Sequence, residues 1–419
     1  MQKVQADIAI IGGGASGLAA AIEAKRYGGA ACHTIVLEKN ARLGKKILAT
    51  GNGRCNLGHV EEKERRYYTG SCAALAEQLF SEFEGSESFF RSLGVICKAD
   101  SGRLYPYSNH AASVLDALRF HMQELGAESY TESEVTALDY DKKSGLWKLT
   151  AGEIEISAKA VIVACGGKAA PAFGTDGSFF RQLKFLGHTH TQLTPALCAV
   201  YTDAERLKGL KGIRTLGRAT LFGPKGERIA SDKGEIQLTD QALSGICIFN
   251  LASLATEYGM TIQLDLLPHL NEYEVTELLW GLYAERSGWA IEDMLTGVFQ
   301  KKLGQALLRS AGINLPFETP VYSLSPLDME KLIRTIGAWT FPVRGLSPWS
   351  AAQVTSGGIP RAEIDENLQS VLCPGLYFAG EVLDLAGECG GFNLAWAWCS
   401  GIHAAHSAID AIEGGTQND

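Results

Sequence analysis

The stretch "DIAIIGGGASGLAAAIEAKRYGGAACHTIVLEKN", residues 7–40, decides the fold. Asp7–Ile11 is a short apolar run of the kind a buried strand needs. Ala15–Arg26 is rich in alanine, which predicts a helix, and Gly28-Gly29 predicts its end. Thr34–Glu38 is a second strand-like run, so the stretch reads as one βαβ unit. Between the first strand and the helix stand Gly12, Gly14 and Gly17, spaced as G-x-G-x-x-G. Gly12 makes a tight turn, Gly14 lets the backbone approach a pyrophosphate, and Gly17 lets the helix pack closely on the strand. The helix opening at Ala15 and Ser16 presents unpaired N–H groups and a positive dipole end to phosphate. Glu38 closes the second strand, 21 residues beyond Gly17, with Lys39 next to it. A carboxylate there accepts hydrogen bonds from a ribose 2′- and 3′-hydroxyl pair and repels a 2′-phosphate. The whole arrangement predicts a dinucleotide site.

The bulk numbers set limits around that site. A chain of 419 residues is longer than one average core requires and predicts two or three domains. At 46% hydrophobic and 20% charged it has a globular composition. A net charge of -9 argues against a protein that coats nucleic acid or an anionic membrane, while leaving room for a local basic patch. Ten cysteines include no C-x-x-C pair, so a zinc ribbon and a thioredoxin-like motif are excluded, no metal is expected, and reduced thiols are. "MQKVQADIAIIGGG" runs straight into a strand without the pattern of a signal peptide. No apolar run reaches the roughly 18 residues of a membrane span, so a cytoplasmic protein is expected.

Further along, "SEVTALDYDKKSGLWKLTAGEIEISAKAVIVACGG" reads as a three-stranded meander followed by a separate buried strand, Ala160–Ala164, which ends in Gly166-Gly167. "PGLYFAGEVLD" predicts another buried strand, Leu376–Ala379, ending in Gly380-Glu381, with Asp384 nearby. This order of elements is the one shown by two-dinucleotide-binding flavoproteins, which makes FAD the expected cofactor. One of the two carboxylates, Glu381 or Asp384, is then placed to hold the ribityl chain. The final stretch, "GECGGFNLAWAWCSGIHAAHSA", puts glycines at 387, 390 and 391 ahead of an apolar helix. Gly390 and Gly391 would let the loop pass against the isoalloxazine ring. The helix from Phe392 or Asn393 would aim its N-terminal dipole at the ring's pyrimidine end. Trp396 and Trp398 behind it read as core. No second G-x-G-x-x-G follows a strand, so NAD(P)H is expected only as a transient electron donor.

Four motifs are more specific than the fold. They are the N-terminal fingerprint, "GKKILATGNGRCNLGH" (44–59), "CGGKAAPAFGTDGSFF" (165–180) and "GLYFAGEVLDLAGECGGFNLAWAWCSG" (375–401). Together they resemble the BaiN/RdsA family of NAD(P)/FAD-dependent oxidoreductases, the YhiN-like flavoproteins with their aminoacetone oxidase-like members. Lys46, Thr50, Gly51, Gly53, Arg54, Cys55 and Asn56 match the early family pattern. Gly380–Asp384, Gly387 and Gly390–Leu394 match the late one. The resemblance implies FAD contacts from Lys46, Gly51, Gly53, Arg54, Cys55 and Asn56, from Val135, and from Gly391, Phe392, Asn393 and Leu394. It also implies an α/β architecture: a two-dinucleotide-binding, Rossmann-like FAD domain of residues 1–190 plus 342–419. Its insertion would be a small β-barrel over 191–270 and a helical subdomain over 271–341. The sequence agrees: 193–265 alternates short β-like runs with Gly/Pro turns, "LDMEKLIRTIGAWTF" has helical spacing, and "EGGTQND" reads as a frayed tail. There is one departure. "LTDQALSG" (238–245) carries Asp240 where relatives usually carry a histidine, so any proton transfer by that histidine is missing here.

Three functions follow. The first is an FAD-dependent reductase of an activated C=C bond, acting on a small molecule such as an enone or on an RNA base; uracil of large-subunit ribosomal RNA leads, and the product would be dihydrouridine. The second is an amine oxidase of the aminoacetone type. The third is a flavin-holding binding protein without turnover of its own. Residues 205–234 carry eight bases (Arg206, Lys208, Lys211, Arg214, Arg218, Lys225, Arg228, Lys233) against three acids, a patch suited to phosphates, and so favour RNA. The reductase needs an acid to protonate the carbon next to the one that takes hydride, and Cys55 and Cys389 are the candidates from their motif positions.

Overall fold

In the computed structural model, which describes residues 2–416, Gln2–Ile11 is the central strand of a seven-stranded sheet. Thr34–Leu37 pairs with it in parallel on one side and is flanked in turn by Glu128–Tyr130. Ile154–Val163 pairs in parallel on the other side along almost its whole length. The four residues of Thr34–Leu37 are all buried, as a parallel strand covered on both faces requires. The helix between the first two strands runs from Ala15 to Tyr27, so the βαβ unit forms where the glycine spacing predicts it.

One expectation needs correction. The third meander strand and the buried strand after it are a single ten-residue strand, Ile154–Val163. It changes partners midway. Ile154–Ala158 pair antiparallel with Leu146–Ala151, while Val161–Val163 pair parallel with Leu376–Phe378. Its first half therefore has one solvated face and alternates in burial, and its last four residues are all buried. Two burial patterns on one strand read as two strands in the sequence.

The final helix, Phe392–Thr416, lies along the first one. A Cβ on Gly401 would collide with the carbonyl of Ser16, and one on Gly28 would come within 2.6 Å of Ile409. Near the other ends Tyr27 stacks on His406 at 4.4 Å and donates its hydroxyl hydrogen to Asp410. Trp396 and Trp398 are buried, as expected of core residues. Residues 413–416 continue this helix rather than fraying, and 417–419 lie outside the described residues.

The chain divides into two compact units, Met1–Thr194 with Gln353–Asp419, and Pro195–Ala352. In the second unit seven antiparallel strands follow one another in a path from Trp339–Pro342 to Gly345–Leu346. These two end strands are successive in the chain. A flat sheet would hold them about 29 Å apart, whereas the short link from Pro342 to Gly345 reaches about 11 Å. The sheet therefore curls on itself, as a small barrel does. Its helices Glu272–Glu285 and Pro326–Gly337 both start with capping boxes, Asn271 with Glu274 and Ser325 with Asp328. Among the described residues no helix is long and apolar enough to cross a membrane.

Candidate functional site

The first glycine loop is shaped by backbone contacts. Gly12 takes a φ of +106°, and a Cβ there would collide with the Ala164 carbonyl at the end of the neighbouring strand. A Cβ on Gly17 would collide with the Gly12 carbonyl. Gly14, the N-cap of Ala15–Tyr27, differs: a Cβ there meets nothing within 4 Å, and no side chain caps the helix. Its end is left open to a ligand with acceptor oxygens.

Glu38 stands beside this loop and is only 8% exposed. Its Oε2 accepts the Gly13 N–H at 2.9 Å, and its Oε1 accepts from Asn40 N and Nδ2 at 2.8 and 2.7 Å. Three donors fix the carboxylate in orientation, and Oε2, which takes only one of them, keeps acceptor capacity for a hydroxyl. The turn before Val135 is tied to the same segment, with Ser133 N bonded to Glu38 O and Glu132 N to Asn40 O. Val135 itself is buried. Lys39 is drawn instead to Asp176 at 3.1 Å. Burial works against the Asp176 carboxylate, but bonds from Ser178 and Lys39 outweigh it and bring its pKa to about 2.

A second group joins three distant segments. Glu381 pairs with Lys46 at 2.8 Å through Oε2 and accepts the Thr355 N–H at 2.9 Å through Oε1. The Thr355 hydroxyl oxygen accepts from Lys168 N and Ala169 N at 2.7 and 2.9 Å. Gly167 is required here, since a Cβ would collide with that hydroxyl, and Gly166 has a φ of +75°. Gly380, with φ +76°, faces Ser16, and its N–H donates to Ser400. Thr355 was not singled out in the sequence. No local signal marked it, because its partners Lys168 and Ala169 lie almost two hundred residues earlier in the chain.

The third group joins residues 50–59 to 387–394. Gly391, at φ +106°, makes its close approach to protein: a Cβ would collide with Gly58 O and lie 2.7 Å from Asn56 Oδ1. Phe392 is buried in an aromatic cluster, stacked on Tyr67 at 4.4 Å and His59 at 4.7 Å. The Asn393 amide closes its own loop, bonding both N–H and C=O of Gly387 at 2.8 Å. Leu394 is partly buried against the core. Asp384 is buried and accepts Ser71 N and Oγ at 3.0 and 2.7 Å, so Glu381 is the acid that stands with Gly380 and Lys46. Trp398 Nε1 donates to Leu57 O at 2.8 Å and Trp396 Nε1 to Gly380 O at 3.2 Å, which ties the last helix to both motif loops.

Cys55 is fully buried and burial pushes its thiol up to about 12, so it keeps its proton but packs rather than facing a substrate. Cys389 is half-buried in the 387–391 loop. Arg54 lies over the Tyr105 ring at 4.3 Å and donates to its hydroxyl at 3.2 Å. His59 accepts the Glu61 N–H on Nδ1, so a neutral ring carries its hydrogen on Nε2, and burial lowers its pKa. Tyr67 donates to Glu61 and accepts from Arg66 at 2.9 Å. Neither His59 nor Tyr67 was anticipated, because the cluster exists only once Phe392 returns from the far end of the chain.

In the second unit Asp240 forms an exposed ion pair with Lys211 at 2.7 Å. Arg206, Arg214 and Arg218 of the basic segment also have acidic partners, Asp203, Glu235 and Asp265. Four of its eight bases are thereby neutralised, and the patch is weaker than its composition suggests.

An open helix end and an oriented carboxylate fit a dinucleotide carrying phosphate and ribose. These features define a Rossmann-type nucleotide-binding protein. The HI0933-like protein Rossmann domain family matches residues 6–407. The chain is 36% identical over 413 residues to the 3-dehydro-bile acid Δ(4,6)-reductase of Clostridium scindens, covering 96% of this chain and 99% of the relative. It is 25% identical to the ribosomal RNA dihydrouridine synthase of Haemophilus influenzae, covering 95% and 97%. Among solved structures, a 3-ketosteroid Δ4-(5α)-dehydrogenase from Rhodococcus jostii RHA1 is 16% identical with a TM-score of 0.49, covering 98% of each chain. The chain belongs to the HI0933-like family, and it is an FAD-dependent oxidoreductase.

Proposed function

We propose that this protein reduces an electron-poor carbon–carbon double bond of an enone-type small molecule, with NAD(P)H as the transient electron donor, in the cytoplasm. The observation that carries this reading is the full-length similarity to a reductase at 36% identity. When bound, FAD supplies hydride to the carbon β to the activating group. The residues divide the remaining work. Gly14 and the first-turn N–H groups of Ala15–Tyr27 hold the pyrophosphate. Glu38, oriented by Gly13 and Asn40, takes the adenosine ribose hydroxyls. Glu381, fixed by Lys46 and Thr355, takes a ribityl hydroxyl. The dipole at the start of Phe392–Thr416 would favour negative charge on a ring bound beside it. Cys55 is too enclosed to give a proton to substrate, and Cys389 is the thiol this reading retains for that step.

The test is an anaerobic titration of the purified protein with NADH and NADPH, followed by the visible flavin spectrum and then by admission of oxygen. The reductase reading expects bleaching by a nicotinamide and slow recovery in oxygen. Bleaching by aminoacetone alone, with fast recovery, would instead make the protein an amine oxidase. No bleaching by either would leave a flavin-holding protein.

A second reading, reduction of uracil in ribosomal RNA, is favoured by the 25% relative and by Lys208, Lys225, Arg228 and Lys233, which stand outside ion pairs among the described residues. Reversing these four charges should then remove a salt-sensitive RNA interaction. RNA binding that survives the reversal would remove the patch from the argument.

A further inference from the structure

Gly58–His59, Arg103–Pro106 and Cys97–Asp100 form a small antiparallel sheet in the first unit, with Arg103–Pro106 in the middle. Residues directly paired across such a sheet share a face. The register sets His59 and Asp100 on either side of Arg103, and Lys98 beside Tyr105. A backbone bond from Tyr107 to Ile96 continues the row. One face therefore carries His59, Arg103, Lys98 and Tyr107 in order, while Leu104 and Pro106 point the other way and are buried.

That face is basic and aromatic. Tyr107 is 71% exposed, and Lys98 Nζ lies 5.7 Å from its ring centroid. Tyr105 offers no open ring, since it is buried with Arg54 stacked on it. Lys98 and Arg103 form no ion pair among the described residues. Asp100, the acid nearest them in the register, accepts from Ser101 instead. The acids close to His59 are Glu61 and Glu64, at the opposite end of the row from Lys98 and Tyr107. Two cations left without carboxylates keep their charge available to an anion, and phosphate is the anion such side chains hold best. An open aromatic ring beside them adds a surface on which a base can stack.

Phosphate and base together describe a nucleotide. The loop at 12–17 and Glu38 already form one dinucleotide site, and no second G-x-G-x-x-G follows a strand, so a second nucleotide needs another surface. The row starts at the candidate site, because His59 stacks on Phe392 at 4.7 Å, at the start of the last helix. From Arg103 to Tyr107 it extends about 14 Å, a span that an extended dinucleotide covers.

We infer that this sheet face holds the adenosine-phosphate half of the nicotinamide donor, with Tyr107 on the adenine and Lys98 and Arg103 on phosphate. The inference rests on the reading that NAD(P)H feeds the flavin. It gives the donor a docking surface without a second glycine fingerprint.

The experiment uses the full-length, FAD-loaded protein and follows anaerobic flavin reduction by stopped flow over a range of NADPH and NADH concentrations. Lys98→Glu combined with Arg103→Glu should raise the half-saturating donor concentration about tenfold or more. Tyr107→Ala should raise it about fivefold or more. Reduced nicotinamide mononucleotide lacks the adenosine half, so its half-saturation should differ between wild type and variants by less than about twofold. Unchanged half-saturation with the dinucleotides, or an equal loss with the mononucleotide, overturns the inference. Calorimetric titration of the oxidised protein with adenosine diphosphate and adenosine 2′,5′-bisphosphate requires no turnover. If no nicotinamide reduces the wild-type flavin, the donor reading fails, and the calorimetry decides about the face. Binding that these substitutions abolish then upholds an adenosine-phosphate site, and no binding overturns it. Binding of a uridine oligonucleotide through these residues, with neither adenosine phosphate bound, also overturns it and gives the face to RNA.

Discussion

The two glycine-rich loops of the first unit resemble each other in sequence and differ in what their glycines do. In the loop at 12–17, Gly12 and Gly17 make room for neighbouring backbone, while Gly14 opens onto empty space. In the loop at 387–391 the closest neighbour of every glycine is protein: Phe392 for Gly387 and Gly390, and the Gly58 carbonyl for Gly391. The first loop keeps a vacancy at a helix end. The second fills its space with its own chain and leaves one buried acceptor, Asn56 Oδ1, beside it. A glycine in a functional motif is therefore not in itself a ligand contact. What a Cβ would meet decides the matter.

Substitutions can break or sharpen this contrast. The largest effect is expected from Gly391→Ala, which combines a φ of +106° with collision against a backbone carbonyl. It should destabilise the flavin-free protein by about 3–5 kcal/mol, read as a fall in denaturation midpoint or loss of folded yield. Stability within 1 kcal/mol of wild type, roughly the scale of an ordinary surface change, would show that the two loops are alike after all. Trp398→Phe comes next. It leaves the Leu57 carbonyl without its indole donor and should cost about 1–3 kcal/mol, which denaturant titration measures.

Gly14→Ala should do the reverse of Gly391→Ala. At φ −82° with open space around it, the substitution should change flavin-free stability by less than about 0.5 kcal/mol, yet lower the FAD content of the purified protein. Full FAD occupancy in this variant would remove the ligand-facing role of the first loop. The smallest effect belongs to Asp176→Asn. The native carboxylate has its pKa lowered to about 2, so its contribution is present above the ordinary carboxylate pKa and fades as pH falls toward 2. Because the group is half exposed, the loss at neutral pH should stay within about 1 kcal/mol, and wild type and variant should converge in stability near pH 2.

The same contrast explains what was legible in the sequence. Gly17, packed on the Gly12 carbonyl, and Glu38, bonded to Gly13 and Asn40, act within one βαβ unit, over a few tens of residues, and spacing alone carries their roles. Gly391 acts on Gly58, Phe392 on Tyr67 and Asp384 on Ser71, each across more than three hundred residues. The sequence showed small or polar residues at these places and could not show what they would meet. Asp384 and Glu381 looked equivalent until Ser71 engaged one and Lys46 the other. The partner change halfway along Ile154–Val163 was hidden for the same reason, since its second partner arrives only with Leu376.

The indole bonds of Trp396 and Trp398 carry a consequence for how the protein is made. The βαβ unit is synthesised well before the helix that bonds Leu57 and Gly380. During translation the early loops must wait, without their closing partners, while the inserted unit emerges and folds. A ribosome that stops before that helix releases a chain whose glycine fingerprint is complete and whose loops at Leu57 and Gly380 lack their indole donors.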